Sequence, residues 1–248
     1  MSSSFELRPD RREILYALGS FVAVGFLGCG GSSPASPSST SSSSSSTSST
    51  NAPCVVTPAL TEGPYFVDER LNRSDLRSDP ATGGVRPGVP LNLLVKLSQI
   101  STGGACTALA GALVDVWHCD ALGVYSDISA QGTVGQKFLR GYQVSDANGE
   151  ARLVTVYPGW YPGRAVHIHF KVRTNPAGAT GLEFTSQMFF DEALTDSVHA
   201  QAPYSTKGRR NTTNATDGIY QGGGSQVLFP LTTAGSGYEG TFNVGVRI

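Results

Sequence analysis

The sequence is short of charge, histidine and cysteine, and no apolar run in it reaches the roughly 18 residues of a membrane-spanning helix. Charged residues make up 15% of the 248, against roughly 25% in typical soluble domains. Lysine and arginine total 18, aspartate and glutamate 19. That balance excludes a basic nucleic-acid-binding surface as the main theme. Four cysteines are too few for a disulfide scaffold. Four histidines leave little choice of imidazole ligands. Glycine is plentiful at 30 residues, and the apolar residues fall in short Val/Leu/Phe runs. Both point to turns and short strands rather than helices.

The first fifth of the chain reads as address and tether. Arg8, Arg11 and Arg12 precede the apolar stretch Ile14 to Leu27, the pattern of a secretory signal peptide. Asp10-Arg11-Arg12-Glu13-Ile14-Leu15 resembles a twin-arginine export signal, and Phe26-Leu27-Gly28-Cys29 resembles a bacterial lipobox. Residues 1–29 are therefore expected to direct export. Cys29 would then be lipidated as the new N-terminus (a lipoprotein), or the chain cleaved and secreted. Residues 30–53 are almost all Ser, Thr, Gly, Pro and Ala, which cannot bury enough apolar surface to fold and form a flexible linker. The fold is expected in residues 54–248. Any membrane contact would be through the lipid anchor alone. The sequence leaves the oligomeric state open.

That part reads as all-β, a two-layer β-sandwich of about eight strands with long loops. Alternating β-branched and aromatic residues predict strands at Leu91–Ser98, Ala112–His118, Phe138–Val144, Ala151–Tyr157, Ala165–Val172, Glu183–Phe190, Gln226–Leu231 and Gly240–Ile248. One short helical turn is expected near Glu192–Val198. The connections 120–137 and 191–225 are long, as functional loops are. With Cys29 used as an anchor, three cysteines remain, and the reading pairs Cys106 with Cys119. His118 and His199 are read as structural.

Chemistry concentrates around Val166-His167-Ile168-His169-Phe170. On a strand, His167 and His169 share one face while Val166, Ile168 and Phe170 point to the core. Two imidazoles so spaced can grip one metal ion, or simply hydrogen-bond to each other. A copper–zinc dismutase-like site needs more histidines. A cupin-like site wants a glutamate where Arg173 and Thr174 stand, and the cysteines do not suit a zinc ribbon. Remaining ligands must be oxygen donors, and Tyr125 and Tyr161 are the candidates. Phenolate suits Fe(III), and two phenolates plus one hydroxide would cancel its charge.

Several segments together resemble the intradiol ring-cleavage dioxygenases, non-haem Fe(III) enzymes, and in particular their exported bacterial branch. They are Thr61-Glu62-Gly63-Pro64-Tyr65-Phe66 with Arg73-Ser74-Asp75, and Val114 through Ser126 with Tyr125. Pro158-Gly159-Trp160-Tyr161, Arg164-Ala165-Val166-His167-Ile168-His169-Phe170 and Ser186-Gln187-Met188-Phe189-Phe190 complete the set. Ala165 stands where the family run has proline, and the link from Tyr161 to His167 is short, as in the exported branch. The N-terminal helical dimerisation segment of the catechol-cleaving members has no counterpart here. The resemblance implies an oxidoreductase of aromatic compound catabolism. It would use O2 to cleave a catechol-type diol between its hydroxyls, giving a muconate-type diacid. It implies iron bound by Tyr125, Tyr161, His167 and His169, with Tyr161 and His169 axial. Tyr161 would leave the metal as substrate binds, Arg164 would supply fixed positive charge, and Gln187 would orient an oxygen species. Tyr65 and Trp160 would line the pocket mouth. The alternatives are a non-catalytic β-sandwich binding module derived from such an enzyme, and a secreted metal oxidoreductase of another type.

Overall fold

A computed structural model describes residues 53–175 and 181–248. The expected signal, lipobox and nearly all of the linker lie outside them. Two sheets make up the fold. The first contains β1 (Pro90–Ile100), β2 (Cys106–Ala108), β5 (Glu150–Val156), β8 (Thr232–Ala234) and β9 (Gly237–Arg247). In it β1 runs parallel to β9 and antiparallel to β2 and β5, and β8 pairs with β9. The second is an antiparallel sheet in the order β4 (Arg140–Val144), β3 (Leu113–Trp117), β6 (His167–Arg173) and β7 (Glu183–Phe189). This is the all-β sandwich expected.

The period of two in the sequence builds the core. In β1, Leu91, Leu93, Val95 and Leu97 are buried while Asn92 and Lys96 are exposed. They cluster with Val114 and Val116 of β3, Ile168, Phe170 and Val172 of β6, Met188 of β7, and Phe242, Val244 and Val246 of β9. Phe170 meets Phe242 across the layers, their rings 5.5 Å apart.

The opposite face of the second sheet is also covered. An N-terminal arm, residues 57–72, crosses it: Leu60 N donates to Thr185 O, Ser186 Oγ to Pro58 O, and Asn72 bridges to Tyr142. As a result β6 is buried on both faces from His167 to Val172.

Three expectations change. The segment predicted as a strand at Gln226–Leu231 is instead a 3-10 turn, Gly224–Val227, followed by an extended stretch that touches β7 only at Leu228 and Phe229. Pro230 has no N–H to continue a ladder, and the strand forms later, as β8. The three-residue β2 also lies outside the predicted strands. The disulfide joins Cys54 to Cys106, not Cys106 to Cys119; Cys119 is buried and free. Cys119 sits under the loop that carries Tyr125, its thiol pushed up to about 12 by burial, an inert apolar filler. The helical turn appears as α1 (Glu192–His199), capped by the Asp191 carboxylate, which accepts from Leu194 N at 2.9 Å.

Candidate metal centre and its surroundings

The site forms on the face of β6 turned away from the sandwich core. Cross-strand pairing puts Trp117, His169 and Gln187 in one row and His167 beside Phe189. His167 and His169 are buried, with their Nε2 atoms 3.0 Å apart. The His169 ring lies flat on Trp117, centroids 5.0 Å apart and planes 6° from parallel. The His167 Nδ1–H donates to Ala165 O at 2.6 Å, which leaves its Nε2 lone pair free to act as a ligand.

Two loops bring the tyrosines. Tyr125 follows β3; its N–H donates to Gln131 Oε1 and its carbonyl accepts from Thr133 Oγ1. Tyr161 follows β5. The loops lie against each other: Gly159 N donates to Asp120 O at 3.1 Å, and a Cβ on Gly123, which has φ +79°, would run into the Trp160 carbonyl. Tyr161 Oη stands 3.1 Å from His167 Nε2. The rings of Tyr125 and Tyr161 are 5.7 Å apart and those of Tyr125 and His169 6.3 Å.

These four side chains fit a cation. The His167 Nε2 lone pair faces both the Tyr161 hydroxyl and His169 Nε2, and His169 Nδ1 is buried without a partner among the described residues. Ligands at right angles on an ion with bonds of roughly 2.1 Å sit about 3.0 Å apart, close to the separations here. Tyr125 Oη is buried and hydrogen-bonds to nothing among the described residues, normally a cost of about 1–3 kcal/mol. Among those residues no three His, Cys, Asp or Glu side chains gather at one point, so a metal here must use the tyrosines.

Charge states agree. Burial, then the nearby Arg164, pushes His167 down to about 3. Burial, then His167, pushes His169 well below its ordinary value. Both imidazoles are neutral at neutral pH, as ligands must be. Burial pushes Tyr161 up to about 12 and Tyr125 well above the ordinary phenol range. Without a cation both phenols keep their protons.

The arm closes the site from outside. Gly63 sits so near His169 that a Cβ there would lie 3.4 Å from Cε1. Tyr65 packs on Tyr125 at 4.5 Å and Phe66 on Trp117 at 4.8 Å. Tyr65, Trp160, Tyr161 and Arg164 are half-buried while Tyr125, His167, His169 and Gln187 are buried. Access is therefore from the side of the first four. Arg164 Nη2 donates to Gln187 Oε1 at 2.6 Å, and Gln187 Nε2 donates to Thr61 O at 2.7 Å. Trp160 Nε1 donates to Gly208 O at 3.1 Å.

Two residues absent from the sequence reading touch this site from the loop between β7 and β8. Lys207 Nζ donates to Leu122 O at 2.5 Å and Trp160 O at 2.6 Å, tying the two tyrosine loops together. Asp217, buried, accepts from Arg164 Nε and Ala165 N. Neither belongs to a local motif, so only the folded chain reveals them. His118 and His199 lie apart from the cluster: His118 Nε2 meets Thr155 Oγ1 at 2.6 Å, and His199 stacks on Tyr204.

Comparison with known proteins finds a family model described as dioxygenase that matches residues 61–208. A chlorocatechol 1,2-dioxygenase from Pseudomonas putida is 29% identical over 153 residues, 54% of this chain and 53% of that protein, so the chain spans about half the length of that relative. The structure is similar to an intradiol ring-cleavage dioxygenase from Tetranychus urticae, with TM-score 0.68, 29% identity, and 78% of this chain and 95% of that one covered. It is also similar to the dioxygenase domain of a dioxygenase carbohydrate-binding protein fusion from Streptomyces sp. SirexAA-E, with TM-score 0.56, 29% identity, and 78% and 99% covered.

Proposed function

The chain belongs to the intradiol ring-cleavage dioxygenase family, and from that premise we propose that it cleaves a catechol-type diol with O2 at a non-haem Fe(III) site held by Tyr125, Tyr161, His167 and His169. The observation that carries the reading is the convergence of Tyr161 Oη, His167 Nε2 and His169 Nε2 at 3.0–3.1 Å beside the unpartnered Tyr125 Oη. The chemistry the ion supplies when bound is that of a hard Lewis acid and electron acceptor, which activates a chelated diol toward dioxygen. Both atoms of O2 enter the muconate-type diacid, so no outside reductant is needed.

The protein's own groups have distinct tasks. His167 and His169 enter neutral and oriented, one by the Ala165 carbonyl and the other by Trp117. Tyr125 is buried and fixed by its loop, and would hold the ion from the closed side. Tyr161 is half-buried on the open side, so of the residues that would hold the ion it is the one within reach of a bound diol, and its Oη could take a substrate proton. Arg164 places a guanidinium beside the developing ring charge. Gln187 braces Arg164 through Oε1, and its second amide hydrogen remains for an oxygen species. Tyr65 and Trp160 line the mouth. The Cys54–Cys106 disulfide supports export to an oxidising compartment, in line with the twin-arginine and lipobox patterns.

The test is oxygen uptake by ferric-loaded protein given catechol, with the product identified by mass. One O2 consumed per diol, both atoms in a ring-opened diacid, is the expected result. Iron bound without oxygen uptake would contradict it and favour the non-catalytic binding module.

A further inference from the structure

We propose that Asp217 is a positioning residue for Arg164, its carboxylate holding the guanidinium in one orientation beside the tyrosine–histidine cluster. The inference rests on the proposed role of Arg164. Asp217 lies in the loop between β7 and β8, outside the span 61–208 that the family model matches.

The carboxylate is buried, and both oxygens are fully engaged. Oδ1 accepts from the Ile219 and Tyr220 amides at 2.7 and 3.1 Å, which fixes the carboxylate to its own loop. Oδ2 accepts from Arg164 Nε at 2.8 Å and from Ala165 N at 2.7 Å. Gln187 Oε1 holds Nη2 from the other side at 2.6 Å. Two anchors on different nitrogens fix both the position and the plane of a guanidinium, as one cannot. Nη1 takes part in neither bond and is left for a ligand. Three backbone amides share the carboxylate, so its charge is not spent on Arg164 alone. Burial works against ionisation of Asp217, but the donors from Ala165 and Tyr220 and the charge of Arg164 keep its pKa below the ordinary carboxylate range. The same carboxylate grips the chain two residues before β6, at Ala165, whose carbonyl orients His167. The two hydrogen bonds to Oδ2 thus join the long loop to the segment that bears both Arg164 and the histidines.

Arg173 and Arg210 are useful comparisons. Each is held by two carboxylates, Asp68 and Asp115 or Glu192 and Asp196, and neither touches Asp217. The test labels arginines of the iron-free protein with phenylglyoxal and follows each site by mass spectrometry. In Asp217→Ala, Arg164 is expected to label about tenfold faster, with Arg173 and Arg210 unchanged. The proposal is overturned if the Arg164 rate does not move, or if all three rise together, as general loosening would cause. Asp217→Asn keeps the shape and one acceptor oxygen and guards against misfolding; an intermediate Arg164 rate is expected, and a wild-type rate would count against the proposal. In the iron-loaded enzyme, Asp217→Ala should lower kcat about tenfold with little change in KM. That loss should vanish in an Arg164→Met background. A loss of the same size in that background would show that Asp217 acts by another route and overturn the proposal. Wild-type turnover in Arg164→Met itself would overturn the reading of Arg164, a failure that unchanged labelling alone would not produce.

Discussion

The two faces of β6 solve different problems with alternate residues of one strand. Its inward face, Ile168, Phe170 and Val172, joins the apolar core between the sheets. Its outward face carries His167, His169, Lys171 and Arg173, and is just as inaccessible as far as Val172. The inward face is buried by contact with the other sheet, the outward face by an arm that lays Gly63, Tyr65 and Phe66 over it. Along the outward face, charge is matched wherever carboxylates are near. Lys171 pairs with Glu62 and Glu183, and Arg173 with Asp68 and Asp115. At His167 and His169 no carboxylate among the described residues pairs with the imidazoles; neutral imidazoles face two protonated phenols. That end of the face carries no charge of its own, which suits the cation proposed for it.

The contrast can be broken most sharply at the histidines. His167→Ala should abolish ferric binding and lower turnover by about a thousandfold or more, while the melting temperature of iron-free protein shifts only slightly. Phe170→Ala, three residues on and facing inward, should do the reverse. It is expected to cost about 4 kcal/mol of folding stability by denaturant titration, with iron still bound at one per chain wherever the protein remains folded.

Smaller effects sharpen the same division. Breaking the disulfide with Cys106→Ser should cost about 2–4 kcal/mol, since the bridge closes a separation of 52 residues. His118 is a structural imidazole apart from the pair proposed as ligands. Burial pushes it down to about 4 from an unfolded value near 6.5. Its folded pKa is depressed, so the unfolded chain takes up the proton first. Stability attributable to His118 is whole above pH 6.5 and falls by about 3 kcal/mol as pH drops toward 4. Unfolding titrations across that window should be flatter in His118→Gln. Lys207→Met removes the tie between the tyrosine loops. A loss of about 1 kcal/mol in positioning would lower kcat about fivefold, measured by oxygen uptake, with iron content unchanged.

Much of this was legible in the sequence, and the reason is local periodicity. Alternation around Val166–Phe170 is enough to assign the two faces of β6, and the strands of the core follow from the same pattern. Tyr125 and Tyr161 are different. Their spacing says little, and it was the set of motifs resembling a known family that marked them. The misreadings share a cause. Gln226–Leu231 has strand-like residues, but Pro230 cannot extend a ladder there. Cys106 pairs with Cys54 because the arm returns along β9, where Thr57 N donates to Gly245 O at 2.9 Å, and nothing near either cysteine signals that return. Asp217 and Lys207 reach the site from a loop whose path depends on the whole fold. Contacts made by a loop to distant backbone atoms leave no period and no motif.

We propose that the outward face of β6 and the two tyrosine loops bind one ferric ion. Titrating iron-free protein with Fe(III) and recording the visible spectrum tests it most directly. A tyrosinate-to-iron charge-transfer band should grow to saturation at one iron per chain, weaken and shift in Tyr125→Phe and in Tyr161→Phe, and be lost in the double variant. A band of unchanged position and strength in the double variant, or saturation with no band in the wild-type protein, would contradict the account.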